Sequence, residues 1–235
     1  LTIVTVRRRS KNVAILPVGD VTVSVPGAVD GWWTLHQRYG RLPWAEVLAP
    51  AIALAENGAP VPDIIAWYIR ANLAAFLRPG AGIEETANAI RTYGLADGKG
   101  PKPGMVFRNP DLARTYRMIA SGGRDAFYDG PIADTIERYF KRIGGWMTRA
   151  DLAAHHSEWI VPYSTHYRGT TVHALGANTQ GIATLQMLNM IERFDMAGAG
   201  FQSPRALHWS IEAKRLAYED RARFYADPHF AKVPV

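Results

Sequence analysis

The seven histidines are the side chains of this chain that could most directly bind a metal ion. A zinc protease site needs two histidines four residues apart on one helix, with a glutamate beside the first. His166 and His173 lack that spacing, and His155 and His156 are neighbours that would point about 100° apart on a helix. We therefore expect hydrogen-bonded roles for these histidines and no metal site.

A cysteine nucleophile is excluded, because the chain contains no cysteine. The absence of cysteine also excludes disulfides and thiolate metal sites, and it is compatible with the cytosol and with the periplasm. The serine of an α/β-hydrolase lies in a Gly-x-Ser-x-Gly turn, which this sequence does not contain. Composition leaves a serine triad of another kind open.

The sequence offers one candidate anion-binding loop, the segment Gly176-Ala177-Asn178-Thr179-Gln180-Gly181. It leads into a predicted helix, and backbone amides at the start of a helix can hold an anion. The alternative, which we favour, is that Gly181 is present because the backbone packs closely against a neighbour there.

Charged residues cluster along the last predicted helix, at Glu212, Lys214, Arg215, Glu219 and Asp220. Arg215 and Glu219 have the i, i+4 spacing of a helical ion pair, in the less favourable order. A solvated ion-pair face explains this cluster at least as well as a functional site does.

Helices are predicted to position most of these residues. Asn, Ser, Thr or Pro marks the start of several of them, and Gly marks several ends. The predicted ranges are about 28–39, 43–57, a helix after Pro62-Asp63 with Ile64, Ile65, Tyr68, Ile69 and Leu73 on one face, 110–121, 132–143, a short helix capped by Thr148 and Asp151, 182–194 and 204–226. Pro50 predicts a kink or a break in the second helix. Residues 79–109 are rich in glycine and proline and predict loops.

A β-hairpin is predicted near residues 159–175. Trp159–Val161, Tyr163–Tyr167 and Thr170–Leu175 alternate in polarity and are rich in β-branched and aromatic residues, with Arg168-Gly169 as a turn. We expect this hairpin to lie at the edge of a larger sheet. Leu1–Val6 could form a further short strand.

The composition is that of a globular protein, with 48% apolar and 20% charged residues. No apolar run approaches the roughly 18 residues that cross a bilayer. The net charge of +6 and the run Arg7–Arg9 suggest nucleic-acid binding, but the other basic residues are interleaved with acidic ones and form no patch. We expect neither a nucleic-acid partner nor a membrane span.

Several short phrases occur together in an order that resembles one family. They fall into three groups, which are Val25–Trp32 with Tyr39–Trp44, Gly145–Leu152 with Tyr167–Gly169 and Thr179–Gly181, and Glu212–Arg221 with Asp227-Pro228 and Val233–Val235. With these phrases, residues 25–235 resemble the large-subunit region of the gamma-glutamyltransferase family, which belongs to the N-terminal nucleophile hydrolases. The resemblance implies an α/β (α+β) chain that forms the helix-rich part of an αββα sandwich.

The resemblance also implies a chemistry. Members of the family transfer or hydrolyse γ-glutamyl groups of glutathione and related amides after cutting themselves in two, without metal or organic cofactor. The nucleophile is the N-terminal threonine of a small subunit, downstream of the equivalent of Val235. We therefore expect no catalytic residue in this chain, inactivity of the chain alone, and two partners, the small subunit and a small-molecule γ-glutamyl substrate. The threonines set aside as nucleophiles are Thr148, Thr165, Thr170, Thr171 and Thr179.

We expect residues 1–24 to be a segment without a match, ahead of a single and incomplete unit at 25–235. The family's arginine that binds the substrate α-carboxylate precedes an Ala-Pro pair, a context that Arg7–Arg9 lack, so the substrate-binding residues are unknown. Trp32-Trp33, and Gly176-Ala177 in place of two prolines, indicate a divergent branch. A cephalosporin-acylase-like amidase and a truncated, inactive remnant that acts as a scaffold or binding subunit are the alternatives.

Overall fold

The computed structural model describes residues 23–79, 81, 83, 86–95 and 97–234. The chain divides into two compact units, Leu1–Ser157 and Glu158–Val235. The predicted strand at Leu1–Val6 and the arginines Arg7–Arg9 lie outside the described residues. None of the described helices is both long and apolar enough to cross a membrane.

Helices make up most of the first unit. Their bounds are α1 Ala28–Tyr39, α2 Trp44–Asn57, α3 Asp63–Phe76, α4 Ala87–Ala89, α5 Pro110–Tyr128, α6 Pro131–Ile143 and α7 Arg149–Ala153. A π-helical turn follows α4 at Ile90–Gly94, and strand β1, Ala59–Pro60, pairs antiparallel with β2, Val106–Phe107. The predicted bounds of α1, α2 and α6 are confirmed to within one residue.

Local side-chain chemistry fixes several helix ends. The Oδ1 atom of Asn109 accepts a hydrogen bond of 3.0 Å from the Leu112 amide, which caps the start of α5. Thr148 and Asp151 form the predicted capping box of α7, in which the Thr148 amide donates to the Asp151 carboxylate at 2.9 Å. Hydrogen bonds from Thr148 lower the pKa of Asp151. Gly144 ends α6 in the left-handed conformation, with φ +75°.

The structure bears on two predictions about helix continuity. Helix α2 continues through Pro50 to Asn57, so the alternative of two short segments is wrong, whereas a kink at Pro50 stays a prediction. Helix α5 consists of two helical segments that meet at a kink at Gly123, where φ is +62° and ψ is −151°, and the second segment ends at Tyr128. The predicted end at Ser121 lies two residues before this kink. Only glycine adopts this backbone conformation readily, so Gly123 interrupts the helix and allows the second segment to run in a new direction.

The core of the first unit joins α1, α2, α5, α6 and α7. Its buried residues are Val29, Leu48, Ile119, Tyr128, Ala133, Phe140, Met147 and Leu152. The Trp44 indole nitrogen donates to the Ile119 carbonyl at 2.8 Å, and the Trp44 ring meets Trp33 edge to face at 5.1 Å. These contacts hold α1 and α2 against α5.

Helix α3 exposes much of its predicted apolar face. Leu73 and Ala66 are buried, whereas Ile64 and Tyr68 keep 55% and 52% of their surface exposed. The helical spacing was therefore predicted correctly, but within the described residues the face is covered only in part.

The second unit combines a hairpin with helices. Its elements are β3 Tyr163–Tyr167, β4 Thr170–Ala174, α8 Gly181–Ile191, α9 Met196–Ala199 and α10 Pro204–Phe224. The predicted hairpin is confirmed, and Tyr167 pairs with Thr170 next to the turn. Arg168 and Gly169 both have positive φ, +48° and +82°, as a tight hairpin turn requires. The stretch Trp159–Val161 is not a strand. The hairpin therefore begins at Tyr163 and not at residue 159, as the sequence predicted.

Helix α8 packs against α10 and against the hairpin. Small buried residues of α10, Ala213 and Ala217, allow the two helices to approach closely, with Ile182 and Leu185 buried on α8. On the other side, the Arg168 amide donates to the Glu192 carboxylate at 3.0 Å, and its guanidinium donates to the Phe194 carbonyl at 2.9 Å. The loop between β4 and α8 is therefore held at both ends by packed elements.

Candidate functional site

The loop Gly176–Gln180 joins β4 to α8 and is held by hydrogen bonds of its own. The Thr179 amide and hydroxyl both donate to the Gly176 carbonyl, at 3.0 and 2.9 Å. Gly176 and Ala177 are buried, whereas Asn178, Thr179 and Gln180 are exposed. The loop therefore presents three polar side chains from a backbone that is fixed beneath them.

Gly181, the first residue of α8, lies against the end of the hairpin. A Cβ atom built on it would come within 2.7 Å of the Ala174 Cβ and 2.8 Å of the Leu175 carbonyl oxygen. Real Cβ atoms do not approach other atoms this closely, so a side chain would push α8 away from β4. This supports the close-packing explanation of Gly181.

The end of α10 forms a hydrogen-bonded network with α8. The Tyr225 hydroxyl donates to Gln186 Oε1 at 2.6 Å, and Gln186 Nε2 donates to Asp220 Oδ2 at 3.0 Å. Burial raises the pKa of the Tyr225 hydroxyl, and the nearby charge of Asp220 raises it further. The Tyr218 hydroxyl donates to Gln180 Oε1 at 3.1 Å, which connects α10 to the loop.

A cavity of about 810 Å³ lies between this loop and the end of α10. It is lined by Ala177, Asn178, Thr179, Gln180, Arg221, Ala222, Tyr225, Ala226 and Asp227. Its size is that of sites for small molecules. Because its walls combine a guanidinium, a phenol, a carboxylate and side-chain amides, we take it as the candidate ligand site of the second unit.

The first unit contains a buried ionic cluster around Asp30. Among the residues that the structure describes, Asp30 is the one charged or polar residue that is buried, with 2% of its surface exposed. The Arg124 guanidinium donates to Asp30 Oδ1, and the Ser157 amide donates to Oδ2. Burial alone would raise the pKa of the Asp30 carboxyl, but the hydrogen bonds from Ser157 and Arg124 outweigh this and lower it.

Tyr128 completes this cluster. Its hydroxyl donates to the Pro26 carbonyl at 2.6 Å and accepts from the Asp30 amide at 3.1 Å. Burial raises the pKa of the Tyr128 hydroxyl. Arg124 lies 4.8 Å above the Tyr128 ring and also donates to the His155 carbonyl. The cluster therefore fastens the segment before α1 to α5 and to residues 155–157, which is a structural role.

The residues singled out in the sequence have mostly structural surroundings. His155 stacks on Tyr128 at 5.5 Å, and His156 Nδ1 lies 3.4 Å from Arg124. No cluster of His, Asp or Glu that could hold a metal is found within the described ranges. Arg215 pairs with Glu212 at 2.8 Å and not with Glu219, which corrects the i, i+4 pairing considered from the sequence.

The threonines set aside as nucleophiles lie in different places. Thr148 caps α7, Thr170 belongs to strand β4, and the Thr165 hydroxyl donates to Asn189. The Asp30–Arg124 pair and the Tyr225–Gln186–Asp220 network were missed from the sequence. The signal for the first was only that Asp30 lies within the phrase Val25–Trp32, since its partner is 94 residues away.

Comparison with known proteins identifies the family. The sequence model of the family described as gamma-glutamyltranspeptidase matches residues 3–235. This chain belongs to that family. It is 35% identical over 216 residues to the glutathione hydrolase-like YwrD proenzyme of Bacillus subtilis (strain 168), an alignment that covers 92% of the chain and 40% of the relative.

Solved structures of the family share the fold. Gamma-glutamyltranspeptidase of Helicobacter pylori is 29% identical with a TM-score of 0.83, over 93% of this chain and 61% of that chain. Cephalosporin acylase of Bacillus halodurans is 33% identical with a TM-score of 0.87, over 99% of this chain and 43% of that chain. The predicted α+β, helix-rich part of an N-terminal nucleophile hydrolase fold is confirmed. The chain spans about 40% of the length of the YwrD relative.

Proposed function

We propose that this chain is the large-subunit region of a self-cleaving γ-glutamyltransferase or hydrolase that acts on glutathione and related γ-glutamyl amides. The observation that carries the proposal is the family match over residues 3–235. The likeness to Helicobacter pylori gamma-glutamyltranspeptidase, with a TM-score of 0.83, supports it. The sequence phrases that suggested the family include starts and ends of described helices, such as Thr148 at α7 and Gly181 at α8.

The proposed reaction uses a threonine in a second polypeptide. After self-cleavage, the hydroxyl of this N-terminal threonine attacks the amide carbonyl, and its own α-amino group accepts the proton. The amide C–N bond breaks, the amine leaves with that proton, and a γ-glutamyl ester remains on the threonine. Water or a second amine then attacks the ester and releases the threonine. Hydrogen-bond donors stabilise the negative oxygen that forms at each attack.

In this proposal the chain positions substrate and partner and supplies no nucleophile. It contributes to substrate binding through the hydrogen-bonded loop before α8 and through the cavity of about 810 Å³ beside that loop. The small subunit, the γ-glutamyl substrate and the inactivity of the chain alone all belong to the proposal. A metal or an organic cofactor has no part in the reaction described.

A second candidate is an amidase that removes the side chain of a cephalosporin. The likeness to Bacillus halodurans cephalosporin acylase, with a TM-score of 0.87 over 99% of this chain, favours it specifically. Both candidates use the same proposed threonine chemistry and differ in the acyl group that the site accepts.

Activity of the full-length protein tests the proposal. We expect hydrolysis of a γ-glutamyl anilide, and none in a matched variant whose proposed nucleophile threonine is replaced by alanine. Faster hydrolysis of a cephalosporin side-chain amide would favour the second candidate. A correctly folded full-length protein that cleaves neither substrate would contradict both and leave the scaffold alternative.

A further inference from the structure

Arg221 forms part of the cavity wall and has no carboxylate partner among the described residues. It is half-buried, and its guanidinium carbon lies 5.4 Å from the centre of the Tyr218 ring. Neighbouring arginines of α10 are paired, since Arg215 contacts Glu212 and Arg223 contacts Glu219 at 2.7 Å. Arg221 is therefore a positive charge at a cavity, held by a ring and not neutralised by an ion pair.

The acidic groups near Arg221 have other partners. Asp220 accepts a hydrogen bond from Gln186 at 3.0 Å and does not itself line the cavity. Asp227 does line the cavity, but its Oδ1 accepts a hydrogen bond from the His229 amide at 2.9 Å, within its own turn. Asp227 therefore leaves Arg221 unpaired and adds one negative charge to the same cavity.

The opposite wall supplies neutral hydrogen-bond donors. Asn178 and Gln180 both line the cavity. Because Gln180 Oε1 accepts from the Tyr218 hydroxyl at 3.1 Å, the side-chain amide nitrogen of Gln180 is the donor group that remains. A guanidinium and amide donors together match a carboxylate. The charge of Asp227 disfavours a doubly charged phosphate in the same space.

We propose that this cavity binds a carboxylate of the amide substrate, with Arg221 as the residue that recognises it. This inference rests on the proposed function and adds a specificity-determining residue to it. The cavity volume of about 810 Å³ accommodates a substrate fragment of the size of an amino acid or a dipeptide. The carboxylate belongs either to the acyl half or to the amine half of the substrate.

Binding to the full-length protein tests the site directly. The probes are N-acetylglycine and its amide, N-acetylglycinamide, titrated by ligand-observed NMR. We expect the acid to bind about tenfold more tightly than the amide, because a hydrogen bond to a charged group is lost with the amide. Equal binding of the two probes would overturn the proposal.

Variants test whether Arg221 causes the preference for the acid probe over the amide probe. Arg221→Gln should abolish it, and Arg221→Lys should keep part of it because the charge remains while the planar fork is lost. Arg223→Gln is the matched control, since Arg223 lies on the same helix, is paired with Glu219 and does not line the cavity. The preference should survive in this control. Should Arg221→Gln fail to fold, Arg221→Lys decides, and an unchanged preference in it contradicts the proposal.

Kinetics identify which half of the substrate carries the carboxylate. One pair of substrates is γ-glutamylglycine and γ-glutamylglycinamide, and the other is the anilides of γ-glutamate and of 4-aminobutyrate. Arg221→Gln should raise KM about tenfold for the acid member of one pair, with kcat unchanged. Equal effects on both members of both pairs would overturn the proposal. A protein that keeps the probe preference but hydrolyses none of these substrates would contradict the proposed function alone.

Discussion

At the scale of single residues, Asp30 and Arg124 form the most buried ion pair among the residues that the structure describes. The Asp30 side chain is 3% exposed and that of Arg124 is 16% exposed, so water screens the pair only weakly. Asp30→Asn should lower the free energy of unfolding by about 3 kcal/mol, because it removes the buried partner of the Arg124 charge and leaves only the exposed Asp125 carboxylate beside it. Urea unfolding of the full-length protein measures this change.

Glu56→Gln is the matched control for that substitution. Glu56 pairs with Arg117, but their side chains are 50% and 46% exposed. An exposed pair contributes at most about 1 kcal/mol, so the control should change the free energy of unfolding far less. Equal losses of unfolding free energy in the two variants would show that the buried Asp30–Arg124 pair stabilises the fold no more than the exposed Glu56–Arg117 pair does.

The pH dependence of stability reports on the same carboxyl group. Its pKa is lower in the folded chain than its ordinary value of about 4. The stabilisation from Asp30 is therefore complete above about pH 4 and is lost as the pH falls through the lowered pKa. The difference in unfolding free energy between wild type and Asp30→Asn, measured by urea unfolding from pH 5 to pH 2, should shrink below about pH 4. A difference that grows over this range would contradict the assignment.

At the scale of elements, the kink in α5 requires glycine. Gly123 has φ +62°, and a Cβ atom on it would lie 2.9 Å from the Trp33 ring. Gly123→Ala should therefore cost about 3 kcal/mol, from backbone strain and from the contact with α1. Thermal or urea unfolding checks this.

Gly144→Ala measures the cost of a side chain at an ordinary left-handed position, where ψ is 14°. Gly144 also has positive φ, +75°, but a Cβ atom there meets nothing within 4 Å. The control should lose only the backbone term of about 1 kcal/mol. If the two variants lost equal stability, neither the backbone conformation of Gly123 nor its contact with Trp33 would have a measurable role.

The contact between β4 and α8 gives a prediction about the candidate site. Gly181→Ala should move α8 away from Ala174 and Leu175 and so disturb the loop at residues 176–180. Gly176→Ala is the control in the same loop, since its Cβ would make ordinary contacts of 3.5 Å or more. We expect a clearly lower melting temperature for Gly181→Ala alone. An unchanged melting temperature in both variants would contradict the close-packing role of Gly181.

Features that depend on neighbouring residues could be predicted from the sequence. The Thr148–Asp151 capping box and the end of α6 at Gly144 involve residues at most four positions apart, so local chemistry determines them. Asp30 and Arg124 are 94 residues apart, and no local pattern announces their pairing. The pairing of Arg215 with Glu212 was missed for a different reason, because helical spacing allows i, i+3 as well as i, i+4 partners.

At the scale of the whole molecule, family membership came from the order of many short phrases along the chain. The cavity beside α8 could not be predicted in the same way, because it is formed by the loop Gly176–Gln180 and by residues 221–227 at the far end of α10. The sequence indicated the loop but gave no sign of its partner. Substrate choice belongs to this larger scale, since acylases and γ-glutamyl enzymes share the fold.

Self-cleavage is the central claim about the whole molecule, and intact mass spectrometry of the purified full-length protein tests it most directly. We predict two polypeptides whose masses sum to that of the precursor, the second of which begins with threonine. Replacing that threonine with alanine should leave the precursor in one piece. A folded wild-type protein that stays as a single uncleaved chain would contradict the account.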